Sequence, residues 1–377
     1  MRRQNVQRST IMPAWVMADG PANDVALSTR ARLARNVAGV PFPTQARDSD
    51  LRRVADLVLD ALSRSDGLPR RIGKLRVIRP AHLSGFERLA LVDARVASRE
   101  HVDAGSYRPV VLNETGTLSV MVNEEDHLRI QCILPGLQPM TALRTAQELE
   151  SFVGSKIGYA KTDNYGYLTS SLANIGTGLR LSAMLHLAGL SFLEEAVPAL
   201  TAATELKVSV RGLFGEGTRA FGDIFQVSNE TTIGFSEREI TSRIRAVAEH
   251  LIARELEARR EIASKKKDEL SEIVQQARRQ VTEARALSGR DAMECLSALR
   301  LGAELGLGPS FPTRVFNELL VSMRIGISAA GGPTMESVGS DVKRARLVRE
   351  RLTKECEAVQ LVFPEVEQES LKRRQTI

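Results

Sequence analysis

The sequence predicts an α+β domain followed by an all-helical domain, and two observations support this fold class. First, apolar and polar residues alternate in several short segments before Ser236, as in half-buried strands, while other segments have helical spacing. Second, this alternation stops after Ser236, and the remaining chain is highly charged with helical periodicity. We therefore expect an irregular segment at 1–26, an α+β domain at 27–258 and a helical domain at 259–377.

Each element is predicted from its residue spacing. The apolar residues between Leu51 and Leu62, for example, recur at helical intervals behind a capping residue at position 49 or 50. The predicted strands cover residues 110–112, 118–122, 128–134, 205–211 and 223–234. The predicted helices cover residues 50–62, 139–157, 179–190, 237–287, 292–302, 313–323 and 342–352.

Composition narrows the class of protein. No run of 18 apolar residues and no apolar signal region occurs in the 377 residues, so we expect neither a membrane span nor a secretory signal. The three cysteines are widely spaced, which predicts no protein-bound metal and indicates a cytoplasmic location. Because only 4% of residues are aromatic, the net charge of +6 indicates a solvated basic surface or an anionic ligand such as a nucleotide, rather than nucleic acid.

A densely charged segment precedes one predicted strand. Residues 122–130 (VNEEDHLRI) place three acids, a histidine and an arginine within six positions. Folding of a strand does not require so much charge, whereas a site that holds a guanidinium beside a phosphate needs carboxylates and arginines together. Glu125 is the candidate carboxylate. Arg129 is a candidate phosphate ligand, because strand alternation turns it away from the apolar row of Leu128 and Ile130.

Further arginines are predicted on polar strand faces. In residues 28–36 (STRARLARN), Ser28, Arg30 and Arg32 share one face if the segment is extended. Two arginines on one face can fork around phosphate oxygens. Arg211 opposes the apolar row of residues 206–210 in the same way. Taken singly, each of these arginines could equally face water.

Two glycine-rich segments complete the candidate site. Residues 174–180 (NIGTGLR) place a glycine turn before the predicted helix at 179–190, and such a helix N-terminus can bind an anion. Residues 212–217 carry Glu216 in a loop that could close over a substrate. The alternatives are an ordinary threonine cap and a plain turn.

Together these segments fit a nucleotide site built from side chains. The triphosphate of ATP carries about four negative charges, and Mg²⁺ offsets two of them, so clustered arginines can neutralise the rest. The sequence contains neither a Walker loop nor the HRD and DFG motifs of protein kinases. The phosphates would therefore depend on arginine side chains rather than on a P-loop.

These motifs resemble the guanidino (phosphagen) kinase family, and within it the bacterial protein-arginine kinases of the McsB type. The segments that match the kinase domain, in order, are STRARLARN, VNEEDHLRIQC, NIGTGLR, VRGLFGEG and FQVSNETTIG. The segments that resemble the C-terminal domain of that branch are CLSALRLGAELGL, VFNELLV and DVKRARLVRERL. The resemblance spans nearly the whole chain. It implies an antiparallel sheet flanked by helices, followed by a helical regulatory domain.

The resemblance also implies a reaction, namely ATP-dependent transfer of the γ-phosphoryl group to a guanidinium nitrogen, with Mg²⁺ bound through the nucleotide. Glu125 and Glu216 would grip the guanidinium, and Glu125 would accept its proton. The residues implied to bind ATP are Ser28, Thr29, Arg30, Arg32, Arg129, Arg180 and Arg211.

The chain departs from the family pattern at three places. Ser171 replaces the reactive cysteine, and a hydroxyl cannot supply the negative charge of a thiolate, so we expect lower activity. Arg95 falls near the position of a nucleotide-contacting histidine. In the phosphoarginine-binding RDxxRA motif of the McsB branch, Asp341 and Arg344 match, but Ser340 stands at the leading arginine.

The resemblance implies partners as well: protein substrates with exposed arginines, a zinc-finger activator of the McsA kind, a Clp-type AAA+ protease that takes the marked proteins, and a second copy of the chain in a homodimer. Two other functions stay open. Ser171 and Ser340 favour a catalytically weak adaptor that binds nucleotide or phosphoarginine. A kinase of a small guanidino compound is the third possibility, against which the helical C-terminal domain argues.

Overall fold

The computed structural model describes residues 12–63, 66–212, 220–328 and 338–360. Its strands are β1 (Ala26–Arg35), β2 (Leu75–Ile78), β3 (Val110–Asn113), β4 (Leu118–Val122), β5 (Leu128–Pro135), β6 (Lys161–Thr162), β7 (Gly166–Tyr167), β8 (Leu179–His186), β9 (Val208–Gly212) and β10 (Ile224–Asn229). Its helices are α1 (Ala14–Met17), α2 (Asp48–Ser63), α3 (Gly85–Asp93), α4 (Arg99–Asp103), α5 (Pro139–Ile157), α6 (Ala188–Phe192), α7 (Ala196–Thr204), α8 (Glu237–Lys265), α9 (Lys267–Glu283), α10 (Gly289–Glu304), α11 (Thr313–Ser328) and α12 (Val338–Gln360).

Eight of the strands form one antiparallel sheet in the order β2-β3-β4-β5-β1-β8-β10-β9. The predicted α+β class with an antiparallel sheet is therefore confirmed. Strand β1 is central, between β5 and β8. One predicted helix is wrong, because residues 179–186 form strand β8 instead. Both faces of β8 are buried, so its sequence is a continuous apolar run that periodicity does not separate from a helix.

The two faces of the sheet have different neighbours. On one face, Leu33, Ile130 and Leu181 pack in a large apolar core with α2, α5 and α8. On the other face, Ile133 and Met184 pack with α1 and with helices α9–α12. Because these helices cover only part of that second face, its remaining part is free to carry polar side chains.

The C-terminal region is helical, as predicted. Helix α8 begins at Glu237, directly after its cap Ser236, whose side chain caps the Glu239 amide while the Glu239 carboxylate caps the Ser236 amide. It continues without a break through position 258, where we predicted the domain boundary. Throughout the described ranges, no helix is long and apolar enough to cross a membrane.

Candidate active site

An arginine-rich surface lies on the part of the sheet that helices α9–α12 leave uncovered. Arg32 on β1 stands directly opposite Arg180 on β8 and Gln131 on β5. Arg30 lies two residues before Arg32, on the same face of β1. Arg129 on β5 pairs with Ala34, which is also on this face. Arg211 on the edge strand β9 is opposite Gln226 and so faces the same side. We call these five residues the arginine face; strand register brings all five predicted arginines together on it.

The arginines of this face repel one another. Burial, followed by the charges of Arg95, Arg129 and Arg180, lowers the pKa of Arg30 to about 9. The pKa of Arg32 is lowered by the same two causes, burial and neighbouring arginines. Among the described residues, no carboxylate comes within 4.0 Å of the guanidinium of Arg30, Arg32 or Arg180. A set of guanidiniums with so little compensation favours a polyanionic ligand.

Two neighbouring side chains, Glu124 and Gln226, accept hydrogen bonds from arginines of the arginine face. Glu124 Oε1 accepts a hydrogen bond from Arg129 Nη1 at 2.6 Å and another from Ser98 Oγ at 2.7 Å, which fixes the Arg129 guanidinium at one end. Gln226 Oε1 accepts a bond of 3.3 Å from Arg30 Nη2. Sequence reasoning missed Ser98 and Gln226. Gln226 could be found only from strand register, and Ser98 carries no sequence signal beyond its helix cap.

The charged segment of residues 123–127 is the tight loop between β4 and β5. The Asn123 amide donates to the His127 carbonyl at 2.8 Å, and Asn123 has a φ of 60°. Asn tolerates this left-handed conformation, and its buried side chain donates to the carbonyls of Leu51 and Tyr107. These hydrogen bonds fix the base of the loop, while Glu125 at its tip is exposed.

Asp126 and His127 hold this loop in place rather than facing the site. The buried Asp126 carboxylate accepts from Asn36 Nδ2 and from the Ser170 amide, both at 2.7 Å. His127 Nδ1 accepts from the Val37 amide at 3.1 Å, so its Nε2 donates to the Pro41 carbonyl. Burial lowers the pKa of His127 to about 4, which keeps the ring neutral.

The bond between Asp126 and Ser170 joins two predicted parts of the site. It places Glu125 and Ser171 on either side of one short hydrogen bond. Ser171 precedes a single 3₁₀ turn at Leu172–Asn174, and its carbonyl accepts from Thr169 Oγ1 at 2.8 Å. The structure therefore holds the segment that carries Glu125, the proposed proton acceptor, next to the segment that carries Ser171, the serine in place of the family cysteine.

The electrostatics of Glu125 suit a proton acceptor. Although the side chain is exposed, the protein atoms around it displace part of its solvent, and this partial desolvation raises the pKa of its carboxyl; the charges of Asp126 and Glu124 raise it further, and Arg129 and Arg32 oppose the rise. A carboxylate with a raised pKa is a stronger base than an ordinary one. The opposing influence of Arg32 and Arg129 shows that the loop tip and the arginine face interact electrostatically.

The glycine turn of residues 174–178 has a different role from the predicted one. It leads into strand β8, so it provides no helix N-terminus for an anion. Gly178 has a φ of 60°, and a Cβ there would meet the Ala34 carbonyl oxygen at 2.7 Å. The glycines therefore let the chain pass close to β1, and Arg180, two residues later, is delivered to the arginine face.

The remaining predicted residues lie elsewhere. Thr29 is on the opposite face of β1, where its hydroxyl donates to the Gly136 carbonyl and accepts from the Gln138 amide, so it does not face the arginines. Ser28 is buried on the same face as Arg30. Arg344 on α12 donates to Asp341 and to the Leu287 carbonyl, within the helical domain. Glu216 lies outside the described residues.

Comparisons with known proteins match two family models and many relatives. The model of the "ATP:guanido phosphotransferase, C-terminal catalytic domain" matches residues 57–258, and that of the "Protein-arginine kinase McsB C-terminal domain" matches residues 267–361. The chain is similar to a protein-arginine kinase of Pelotomaculum thermopropionicum, with 39% identity over 89% of this chain and 94% of the relative. It is also similar to one of Moorella thermoacetica, with 38% identity over 92% of this chain and 99% of the relative.

Solved structures agree on the fold. The crystal structure of lombricine kinase superposes with a TM-score of 0.53 and 22% identity, covering 64% of this chain and 70% of that one. At this identity the similarity concerns the fold alone.

Proposed function

The chain belongs to the ATP:guanido phosphotransferase family, and we propose that it is a protein-arginine kinase that transfers the γ-phosphoryl group of ATP to arginine side chains of proteins. The observation that carries this proposal is the arginine face, with its largely uncompensated positive charge, beside a loop that exposes Glu125. The names of the relatives, protein-arginine kinases that match nearly the full chain, support a protein as the acceptor.

Arg30, Arg32, Arg129, Arg180 and Arg211 would hold the triphosphate. Their guanidiniums present planar donors to phosphate oxygens, and their charge would stabilise the negative charge that moves onto ADP as the terminal P–O bond breaks. Because Arg30 and Arg32 are half-buried, each contact would act in a poorly solvated environment, where it is stronger than in water.

Glu125 would orient the acceptor guanidinium and take one proton from it. A charged arginine nitrogen has no free electron pair, since its pKa exceeds about 12, so the proton must leave as the N–P bond forms. The raised pKa of the Glu125 carboxyl favours this transfer. Glu216 would be the second carboxylate on the guanidinium and stays a prediction.

Mg²⁺ would enter with the nucleotide. In the ranges that the structure describes, no three His, Cys, Asp or Glu side chains are grouped to hold a metal ion. When bound, such an ion would neutralise about two of the four negative charges of ATP. The five arginines would bind the remaining charge.

The consequences for the cell belong to the same proposal. Phosphorylated arginines would mark proteins for a Clp-type AAA+ protease in cytoplasmic protein quality control and the stress response. An activator of the McsA type and a second copy of the chain would be partners. Asp341 and Arg344 on α12 would be the remnant of a phosphoarginine site, with Ser340 at its leading position.

The test is phosphorylation of an unfolded protein by the purified chain with Mg-ATP. We expect acid-labile phosphoarginine, detected by mass spectrometry under non-acidic conditions. Glu125→Gln should bind ATP like the wild type and lose about 10²–10⁴-fold in rate, because it keeps the shape of the side chain but not the base. Phosphoserine without phosphoarginine, or full activity of Glu125→Gln, would contradict the proposal.

Ser171 favours a second candidate function, a weak or inactive relative that acts as a nucleotide- or phosphoarginine-binding adaptor. A serine beside Glu125 cannot supply a thiolate charge to the guanidinium. The variant Ser171→Cys separates the two functions. If the wild type has no activity and Ser171→Cys gains a large one, the adaptor is correct; a measurable activity in the wild type supports the kinase. A screen with free arginine and creatine tests a small guanidino acceptor.

A further inference from the structure

We propose that helix α10 of the C-terminal domain positions the phosphate-binding edge of the catalytic sheet, through a hydrogen bond between Ser297 and Asp223. Asp223 immediately precedes β10, and β10 carries the edge strand β9 with Arg211. Ser297 would thus be a positioning residue for the nucleotide, acting from the domain that carries no part of the arginine face. The catalytic consequence rests on the proposed kinase function, whereas the structural coupling does not.

The contact is a buried polar junction between the two domains. Ser297 Oγ donates to Asp223 Oδ2 at 2.6 Å, and His186 Nε2 lies 2.8 Å from the same Oγ. Ser297 is 1% exposed and His186 is fully buried. Buried hydrogen bonds of this kind fix the relative placement of elements, because breaking one leaves polar groups without water to replace the partner.

The directions of the bonds follow from the number of protons. Ser297 has a single hydroxyl proton, which goes to Asp223, so His186 Nε2 must carry the proton of the second bond. Burial lowers the pKa of His186, and the charges of Arg300 and Arg259 lower it further, which keeps the ring neutral. Because His186 is the last residue of β8, the junction also fixes the strand next to β10.

The same stretch of chain is tight against α10 at two further points. Gly222 has a φ of 63°, and a Cβ there would meet the Met293 carbonyl oxygen at 2.8 Å. The Arg290 guanidinium lies 5.1 Å from the centre of the Phe221 ring. Residues 221–223 therefore touch α10 through three successive residues, and a shift of α10 must move them.

The pairing of β10 with β8 and β9 links the position of Asp223 to the arginine face. Ile224 pairs with His186, Phe225 with Gly212, and Gln226 with Arg211. Among the strands that the structure describes, β9 pairs with β10 alone, so the placement of Arg211 depends on where β10 begins. Gln226 on β10 also accepts a hydrogen bond from Arg30, so the position of β10 affects this arginine of the central strand as well.

Catalysis by the junction itself does not fit the geometry. Asp223 bonds Ser297 rather than the histidine, so the order of a nucleophilic triad is absent. The burial of Ser297 and His186 also leaves no room for a substrate. The junction is a fixed support.

Hydrogen exchange of the full-length chain tests the coupling without requiring activity. Ser297→Ala removes the bond, while Ser288→Ala removes the cap of the same helix, whose hydroxyl accepts from the Asp291 amide, and leaves the bond to Asp223 in place. We expect amides in β9 and β10 to exchange about tenfold faster in Ser297→Ala, but at most about twofold faster in Ser288→Ala, which acts on residues 221–223 only through the end of α10. Equal exchange rates of β9 and β10 in the two variants would overturn the proposal.

A second comparison guards against misfolding and tests the catalytic consequence. The exposed Arg290→Ala variant removes the contact with Phe221 together with an exposed ion pair to Glu294 within α10, and should speed the same amides about twofold. Ser297→Ala should raise the KM for ATP severalfold with a smaller change in kcat, and Ser297→Thr, which keeps the hydroxyl, should restore it. A KM that stays at the wild-type value in Ser297→Ala would refute the positioning role. A wild type without any kinase activity would refute the proposed function instead, and the exchange rates would still decide the coupling.

Discussion

Strand β1 carries arginines on both of its faces, and the two faces treat them in opposite ways. Arg35 is 1% exposed, yet its Nε donates to Glu150 at 2.8 Å, its Nη2 lies 3.7 Å from Glu237, and the Tyr167 ring stacks on it at 3.5 Å. Arg30 and Arg32, on the other face, are surrounded mainly by other arginines. The same residue type, arginine, is thus neutralised on one face of the strand and left with excess positive charge on the other.

The difference separates a structural arginine from a ligand-binding one. Carboxylates, carbonyls and an aromatic ring complete the environment of Arg35, which therefore contributes to the fold. The environment of Arg30 and Arg32 lowers their pKa and costs folding energy, and a bound polyanion would recover this energy. Burial alone does not distinguish the two cases; the charge of the neighbours does.

The largest expected effect is on stability when Arg35 is replaced. Arg35→Met leaves the buried Glu150 carboxylate without its cationic partner, and breaking a buried pair in this way costs about 3–5 kcal/mol. Urea unfolding measures the loss. The matched change on the other face, Arg32→Met, relieves repulsion and should leave the free energy of unfolding equal or higher. An equal loss of the free energy of unfolding in both variants would contradict the distinction between the two faces.

The next effect is on activity when an arginine of the arginine face is replaced. Arg180→Met should lower kcat/KM by about 10²–10³-fold, as expected for one charged donor at a transferring phosphoryl group. Its pKa is lowered by burial and by Arg211 and Arg129, so its removal should not destabilise the fold. Steady-state kinetics and a thermal melt check the two statements. Activity within threefold of the wild type would remove Arg180 from the site.

A smaller effect concerns pH and the loop that presents Glu125. The pKa of buried His127 is about 4 in the folded chain and 6.5 without the fold, so the unfolded chain binds more protons between these values. Stability from His127 is complete above pH 6.5 and is lost as the pH falls towards 4, by about 2 kcal/mol at pH 5.

The control for this pH dependence is a second histidine. Unfolding in urea at pH 7 and pH 5 should show a weaker pH dependence in His127→Gln than in the wild type. The exposed His250→Gln should leave the pH dependence unchanged. An identical slope in all three proteins would show that His127 is not the titrating group.

Much of the fold was predictable because short apolar or alternating segments are bounded by turn residues. Such segments identified β3, β4, β5 and β10, and helical spacing identified α5 at its observed bounds. The prediction failed for β8, because its apolar run continues through Leu187 into α6 and is therefore long enough to resemble a buried helix. The same apolar run made the glycine turn at 174–178 look like a helix start.

The candidate site was predictable where single strands determine direction. Alternation alone turned Arg30, Arg32 and Arg129 to a polar face. The contact of Gln226 with Arg30 joins positions 196 residues apart, and the approach of Arg95 to Arg30 likewise depends on how the sheet assembles. Neither can be read from local spacing. The left-handed residue Asn123, which turns the Glu125 loop, was also not predictable from its residue type alone.

ATP affinity of paired variants tests the central claim most directly. Isothermal titration with Mg-ATP should give binding by the wild type and by a folded Arg35→Lys variant. Arg32→Met, on the opposite face of the same strand, should bind at least about tenfold more weakly, the change that loss of one charged hydrogen bond produces. Binding of Mg-ATP by Arg32→Met at the wild-type affinity would contradict the assignment of the arginine face as the nucleotide site.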